Sequence, residues 1–161
     1  MKTVHRCLEC GQPLSRGVHE FSKRLYGYSL CMKDQYLIGE SGASARVVDL
    51  YLALKSVNFP LVLEYFDGHQ HIDIALPGKL YIEIYGPDLQ AQGQVMKNLI
   101  RSVDTLERKI PTIMISNVML ENPVTFARLV TELSKACRAV LKKPREFTVS
   151  CAPPFTAAQL Q

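Results

Sequence analysis

The chain has 161 residues, 47% apolar and 21% charged, with five cysteines and a formal net charge of +4. Those proportions suit a globular domain that buries its own core, and they exclude a disordered chain, a collagen-like fibre and a small disulfide scaffold. The charge is uneven: residues 1–35 carry +3, residues 36–90 carry −4 and residues 91–161 carry +5, an acidic middle between basic ends that leans toward a polyanionic partner and centrally held cations.

The N-terminus, MKTVHRCLECGQ, lacks the apolar stretch of a secretory signal, and no apolar run reaches the roughly 18 residues of a membrane span. With an odd number of cysteines as well, the expectation is reduced thiols, a cytoplasmic location and no membrane partner. Residues 1–38 show no sustained period and are read as a separate cysteine-bearing module, with Gly39-Glu40-Ser41-Gly42 as its linker. From Ser44, a plausible N-cap, the spacing of Val47, Leu50, Leu54 and Val57 predicts a helix that Asn58-Phe59-Pro60 stops.

Three strands are predicted next. Leu61–Phe66 leads into Asp67-Gly68, read as a two-residue hairpin turn, and His69–Leu76 alternates. Pro77-Gly78-Lys79 turns the chain into Leu80–Tyr85. A helix is predicted over residues 91–109, then a buried strand at Thr112–Ser116. Asn122-Pro123 resembles an N-cap followed by proline at the first helical position, opening a helix to about Leu141 with Phe126, Leu129, Val130 and Leu133 toward the core. The order after the linker is α-β-β-β-α-β-α, an α/β (α+β) sheet layered with helices. The domain reading is 1–38, 39–143 and a tail over 144–161.

Cys7-x-x-Cys10 followed by Cys31-x-x-Asp34 has the spacing of a zinc knuckle whose fourth ligand is a carboxylate. His19 is the rival fourth ligand, and incidental surface thiols are the bland alternative. Four filled positions make such a zinc structural. Cys137 is expected as a buried thiol and Cys151 as a spare one.

Register arithmetic on the two hairpins sets Asp73 opposite Glu83 and Glu64 opposite His71. One face then shows Glu64, His71, Asp73, Glu83 and Tyr85, and the other Ile72, Ile74, Leu76, Leu80, Ile82 and Ile84. Opposed carboxylates repel, so the face implies a divalent cation, a shared proton or a solvated polar surface with local counter-charges.

The stretch DLYLALKSVNFPLVLEYFDGHQHIDIALPGKLYIEIYG resembles the core of the PD-(D/E)XK, restriction-endonuclease-like nucleases. It is closest to small bacterial endonuclease-domain proteins akin to very-short-patch repair enzymes, some of which begin with a cysteine knuckle like HRCLECGQPL…LCMKD. The resemblance implies a restriction-endonuclease-like α-β-β-β-α-β core and a DNA endonuclease using Mg²⁺ or Mn²⁺ on Asp73 and Glu83, with Glu64 in support. It departs at Tyr85, where the superfamily has Lys or Asp, in the absence of a histidine after Gly86, and at Asp34, where relatives have cysteine. Lys97 is the expected substitute for the missing lysine, with Arg101 contacting phosphates. DNA is the expected partner and a homodimer is permitted. The alternative is a nuclease fold that has lost catalysis and serves as a DNA-binding or protein-interaction module.

Overall fold

The computed structural model describes residues 4–86 and 110–142. In order, it contains α1 (Arg16–Tyr26), α2 (Met32–Glu40), α3 (Ala45–Lys55), β1 (Val62–Phe66), β2 (His71–Leu76), β3 (Leu80–Tyr85), β4 (Thr112–Ser116), a single turn α4 (Val118–Glu121) and α5 (Pro123–Lys142). The helix predicted over residues 91–109 lies outside the described residues, as do Lys97, Arg101, Cys151 and the tail beyond residue 143.

The four strands form one sheet in the order β1-β2-β3-β4, antiparallel except for the parallel β3–β4 pair. A parallel neighbour requires a crossover connection between β3 and β4. The architecture is thus mixed α/β. One face of the sheet carries the main core: Leu50 and Leu54 of α3 meet Ile74, Leu76, Leu80 and Ile82 of the sheet, with Ile115, Leu120, Leu133 and Cys137 continuing it. Cys7, Leu30 and Ile38 belong to the same cluster, so the cysteine-rich region and the sheet share one apolar interior.

Where local chemistry decides an element, expectation and structure agree. Ser44 caps α3 through its hydroxyl, which accepts from Val47 N–H at 3.4 Å. Asn122 Oδ1 accepts from the N–H groups of Val124 and Thr125 at 2.9 and 3.2 Å, opening α5 with Pro123 in first place. The β2–β3 turn pairs Leu76 with Leu80 and Ile74 with Ile82, as the arithmetic requires.

Four expectations are corrected. Residues 1–38 hold two helices, and α2 runs through Gly39-Glu40, leaving only residues 41–44 as linker. Ser15 caps α1 and Cys31 caps α2, and these caps mark where the helices start. Second, Val57 leaves the apolar stripe of α3, because the helix ends at Lys55 and Val57 is 41% exposed.

The third correction is the β1–β2 turn, which has four residues instead of two. Phe66 pairs with His71 and Leu63 with Ile74, a slip of two positions. Asp67 Oδ1 accepts from His69 N–H at 2.9 Å and Gln70 N–H at 3.0 Å, folding Asp67–Gln70 into a side-chain-stabilised loop. Gly68 sits within it at φ +97°, a conformation glycine adopts without steric cost. The slip of two takes His71 away from Glu64 and sets it opposite Phe66.

Fourth, Ile72 does not join the apolar face of Ile74. It packs with Ala75 and Tyr81 on the opposite side of the sheet, with Tyr65 and Ile110 beside them. The switch coincides with Glu64, whose φ of +47° is left-handed backbone inside a strand. Leu63 before it packs on the main core, and Tyr65 after it packs on the other side. A non-glycine residue held there costs about 1–2 kcal/mol, which surrounding structure must offset.

Candidate metal centre and carboxylate row

Cys7 lies ahead of a tight turn in which Gly11 N–H reaches Cys7 O at 3.0 Å and Cys7 N–H reaches Gln12 O at 2.8 Å. Gly11 is left-handed at φ +71°, and the turn brings Cys10 back toward Cys7. The second half of the cluster is the start of α2, where Cys31 is the N-cap and Asp34 lies in the first turn. Helix N-termini favour negative groups, so thiolate and carboxylate sit where the backbone stabilises them.

The ligand atoms of Cys7, Cys10, Cys31 and Asp34 all lie within 4.8 Å of one another. Cys10 Sγ and Cys31 Sγ are 3.9 Å apart, against about 3.8 Å for two sulfurs on one tetrahedral zinc with bonds of about 2.3 Å. Asp34 Oδ2 accepts from Cys7 Sγ at 3.0 Å and from Cys31 Sγ at 3.1 Å. These are shorter than the roughly 3.5 Å edge expected between sulfur and oxygen on a shared zinc. Binding a metal therefore exchanges two S–H···O bonds for metal bonds and moves the oxygen outward by a few tenths of an ångström. Outer support is in place, since Cys31 N–H points to Cys7 Sγ at 3.2 Å and Asp34 N–H to Cys31 Sγ at 3.5 Å.

Burial, with the Asp34 hydrogen bond adding to it, pushes the Cys7 thiol up to about 12. Burial likewise raises Cys31. Burial also pushes Asp34 upward, but the thiols of Cys7, Cys31 and Cys10 outweigh it and hold its carboxyl below the usual range. A metal must displace the thiol protons to bind. Three sulfurs and a carboxylate are a donor set that suits zinc and can hold a metal ion.

His19 is outside this cluster. Its ring stacks on that of His5, centroids 3.6 Å apart, and its Nδ1 lies 2.9 Å from Ser29 Oγ.

No family model, curated protein or solved structure matches this chain.

Sequence reasoning missed the polar bridge beside the cluster. Glu9, between two of the cysteine ligands, pairs with Lys55 Nζ at 3.0 Å, each side chain only 17% exposed. Lys55 also donates to Leu61 O at 2.9 Å and to Tyr51 Oη at 3.3 Å. Burial, assisted by Glu9, raises the Tyr51 hydroxyl far above its ordinary value. The one available signal was an acid inside the Cys-x-x-Cys spacing, and nothing local links it to α3.

On the sheet, Glu64, Asp73 and Glu83 stand on three adjacent strands, but the paired registers pass them by: β1–β2 pairs Leu63 with Ile74 and Tyr65 with Ile72, and β2–β3 pairing ends at Ile74 with Ile82. Glu64 is half-buried, Asp73 is half-buried and Glu83 is 5% exposed. Burial, then the Asp73 charge, raises the Glu64 carboxyl, with His71 opposing. The ladder between β2 and β3 opens at this level, where Asp73 Oδ2 accepts from Ile84 N–H at 2.6 Å. His71 faces Phe66, ring centroids 5.1 Å apart, in place of its expected partner Glu64. Tyr85 closes β3, pairing with Ser116. Among the described residues, the cysteine cluster is the group whose ligand atoms lie close enough together to hold one metal ion. No described helix is long and apolar enough to cross a membrane.

Proposed function

We propose that the protein is a metal-dependent DNA endonuclease with a restriction-endonuclease-like core, its cysteine cluster holding a structural zinc. The supporting observation is the placement of three acids, Glu64, Asp73 and Glu83, on three adjacent strands, with the Asp73 charge reaching Glu64. Like charges on neighbouring strands destabilise a sheet, and the Glu64 carboxyl is raised by burial first and by the Asp73 charge second. A divalent cation held by Asp73 and Glu83, with Glu64 in support, would offset it.

Mg²⁺ or Mn²⁺ bound there would lower the pKa of a coordinated water and stabilise charge building on a phosphodiester. The hydrogen bond from Ile84 N–H fixes the Asp73 rotamer, as a ligand requires. Burial of Glu83 keeps its carboxylate from being fully solvated, which favours a cationic partner. Lys97 is assigned the stabilisation of developing charge. Arg16, Lys23 and Arg24 of α1, together with Arg101, are assigned the DNA backbone.

A second reading has its own observation. The Asp73–Ile84 bond closes a gap in the β2–β3 ladder, a structural duty, and Tyr85 brings no charge to a position where a lysine would. On this reading the chain binds DNA or a protein without cutting.

The deciding experiment incubates the chain with supercoiled plasmid and single-stranded DNA in Mg²⁺ or Mn²⁺, beside Asp73→Ala and Glu83→Ala. Cleavage lost in both variants establishes the endonuclease. Absence of cleavage together with absence of Mg²⁺ or Mn²⁺ binding favours the second reading, and a steep salt dependence of DNA affinity then separates DNA binding from protein docking.

A further inference from the structure

We infer that Glu9 and Lys55 couple metal occupancy of the cysteine cluster to the placement of β1. Lys55 is the last residue of α3, and its ammonium has three partners in three places: Glu9 Oε2 in the knuckle, Leu61 O at the entry to β1, and Tyr51 Oη one turn back on α3. An ammonium has three donors, so every one is engaged. The bond to Leu61 O spans residues 56–60, a connection containing Asn58 in left-handed backbone at φ +65°. That connection sets where β1 starts, and β1 carries Glu64.

Glu9 is placed by the metal loop. Its neighbours Cys7 and Cys10 are both ligands, so a bound metal holds the backbone on either side of it. Apolar packing joins the two sides deeper in the core, and a cavity of about 330 Å³ opens beside it, lined by Glu9, Asp34 and Ile38 on one side and Tyr51, Lys55 and Leu61 on the other. The polar bridge lies at that cavity. When the knuckle loosens, Lys55 is left 17% exposed without its counter-ion, and an uncompensated charge at that depth moves toward water or rearranges. Its hold on Leu61 O goes with it. Linkage makes the effect reciprocal: whatever loosens Lys55 weakens metal binding by the same factor.

The inference rests on the metal reading of the cluster and is independent of nuclease activity. Its test is hydrogen exchange on the full chain with Zn²⁺ bound and after chelation, with residues 74–82 and α5 as internal references. Removing Zn²⁺ is expected to speed exchange in residues 56–66 by about fivefold or more, with little change in the references. In Lys55→Met this metal-dependent difference disappears, and Zn²⁺ affinity measured against a competing chelator falls about fivefold or more. Glu9→Gln repeats the comparison if Lys55→Met does not fold, and in the double variant the two losses do not add.

Zn²⁺ bound with residues 56–66 indifferent to its removal would overturn the coupling while leaving the metal site standing. An even response across the whole core would overturn it too, as would undiminished Zn²⁺ affinity in Lys55→Met. No Zn²⁺ retained by the unmodified chain would overturn the metal reading itself, and the coupling with it.

Discussion

Replacing Glu64 with glutamine tests whether the carboxylate row is physical. Directly opposed residues have Cβ atoms about 5 Å apart, and their carboxylates sit roughly 6 Å apart. Two unit charges at that distance repel by about 0.7 kcal/mol in water and about 3 kcal/mol at an effective dielectric of about 20. Glu64 is half-buried, so screening keeps the figure near the lower end, at about 1 kcal/mol. Glu64→Gln should therefore raise the urea midpoint at neutral pH in metal-free buffer.

The sign with pH follows from the raised carboxyl. Above its folded pKa, Glu64 is ionised, and the native state bears the cost of burying that charge and, after it, the repulsion from Asp73. As pH falls through that pKa toward the ordinary value of 4.5, the native state takes up a proton first and recovers the loss. The advantage of Glu64→Gln is thus expected at neutral pH and absent below the ordinary carboxyl range. Urea titrations of both chains across that range give the measurement. A variant less stable than the parent at neutral pH, or a difference that ignores pH, refutes the row as a site of repulsion.

Asp34→Cys supplies a fourth thiolate in place of the oxygen, and Zn²⁺ affinity should rise at least about tenfold in competition with a chelator. Equal affinity would mean that Asp34 is not a ligand. Asn122→Ala removes an acceptor used by two N–H groups at the start of α5 and should cost about 1 kcal/mol in urea denaturation. A loss under about 0.3 kcal/mol would show that Pro123 alone is enough to start the helix.

The elements read correctly from the sequence are those specified by neighbours in the chain. The caps at Ser44 and Asn122, the Pro77–Lys79 turn and the apolar stripe of Leu50 and Leu54 each lie within one turn or one strand. The cysteine spacing belongs with them, since the sulfurs and Asp34 do converge. Spacing alone favours Asp34 over His19 only weakly; in space the His19 ring is taken up by stacking on His5.

What the sequence determined by itself are the helix caps, the Pro77–Lys79 turn and the cysteine spacing, because each is specified by near neighbours in the chain. What only the tertiary structure decided is which residues meet across that sheet and across the seam. Asp67 enlarged a turn through two side-chain hydrogen bonds, and the β1–β2 register shifted by two, setting His71 opposite Phe66. The left-handed backbone at Glu64 sent Tyr65 and Ile72 to the far side, against the period-two pattern. Glu9 and Lys55 found each other because two helices and a metal loop fold onto one core, a juxtaposition with no local signature. Periodicity and caps are properties of short segments, whereas register and long-range ion pairs depend on how the segments are assembled.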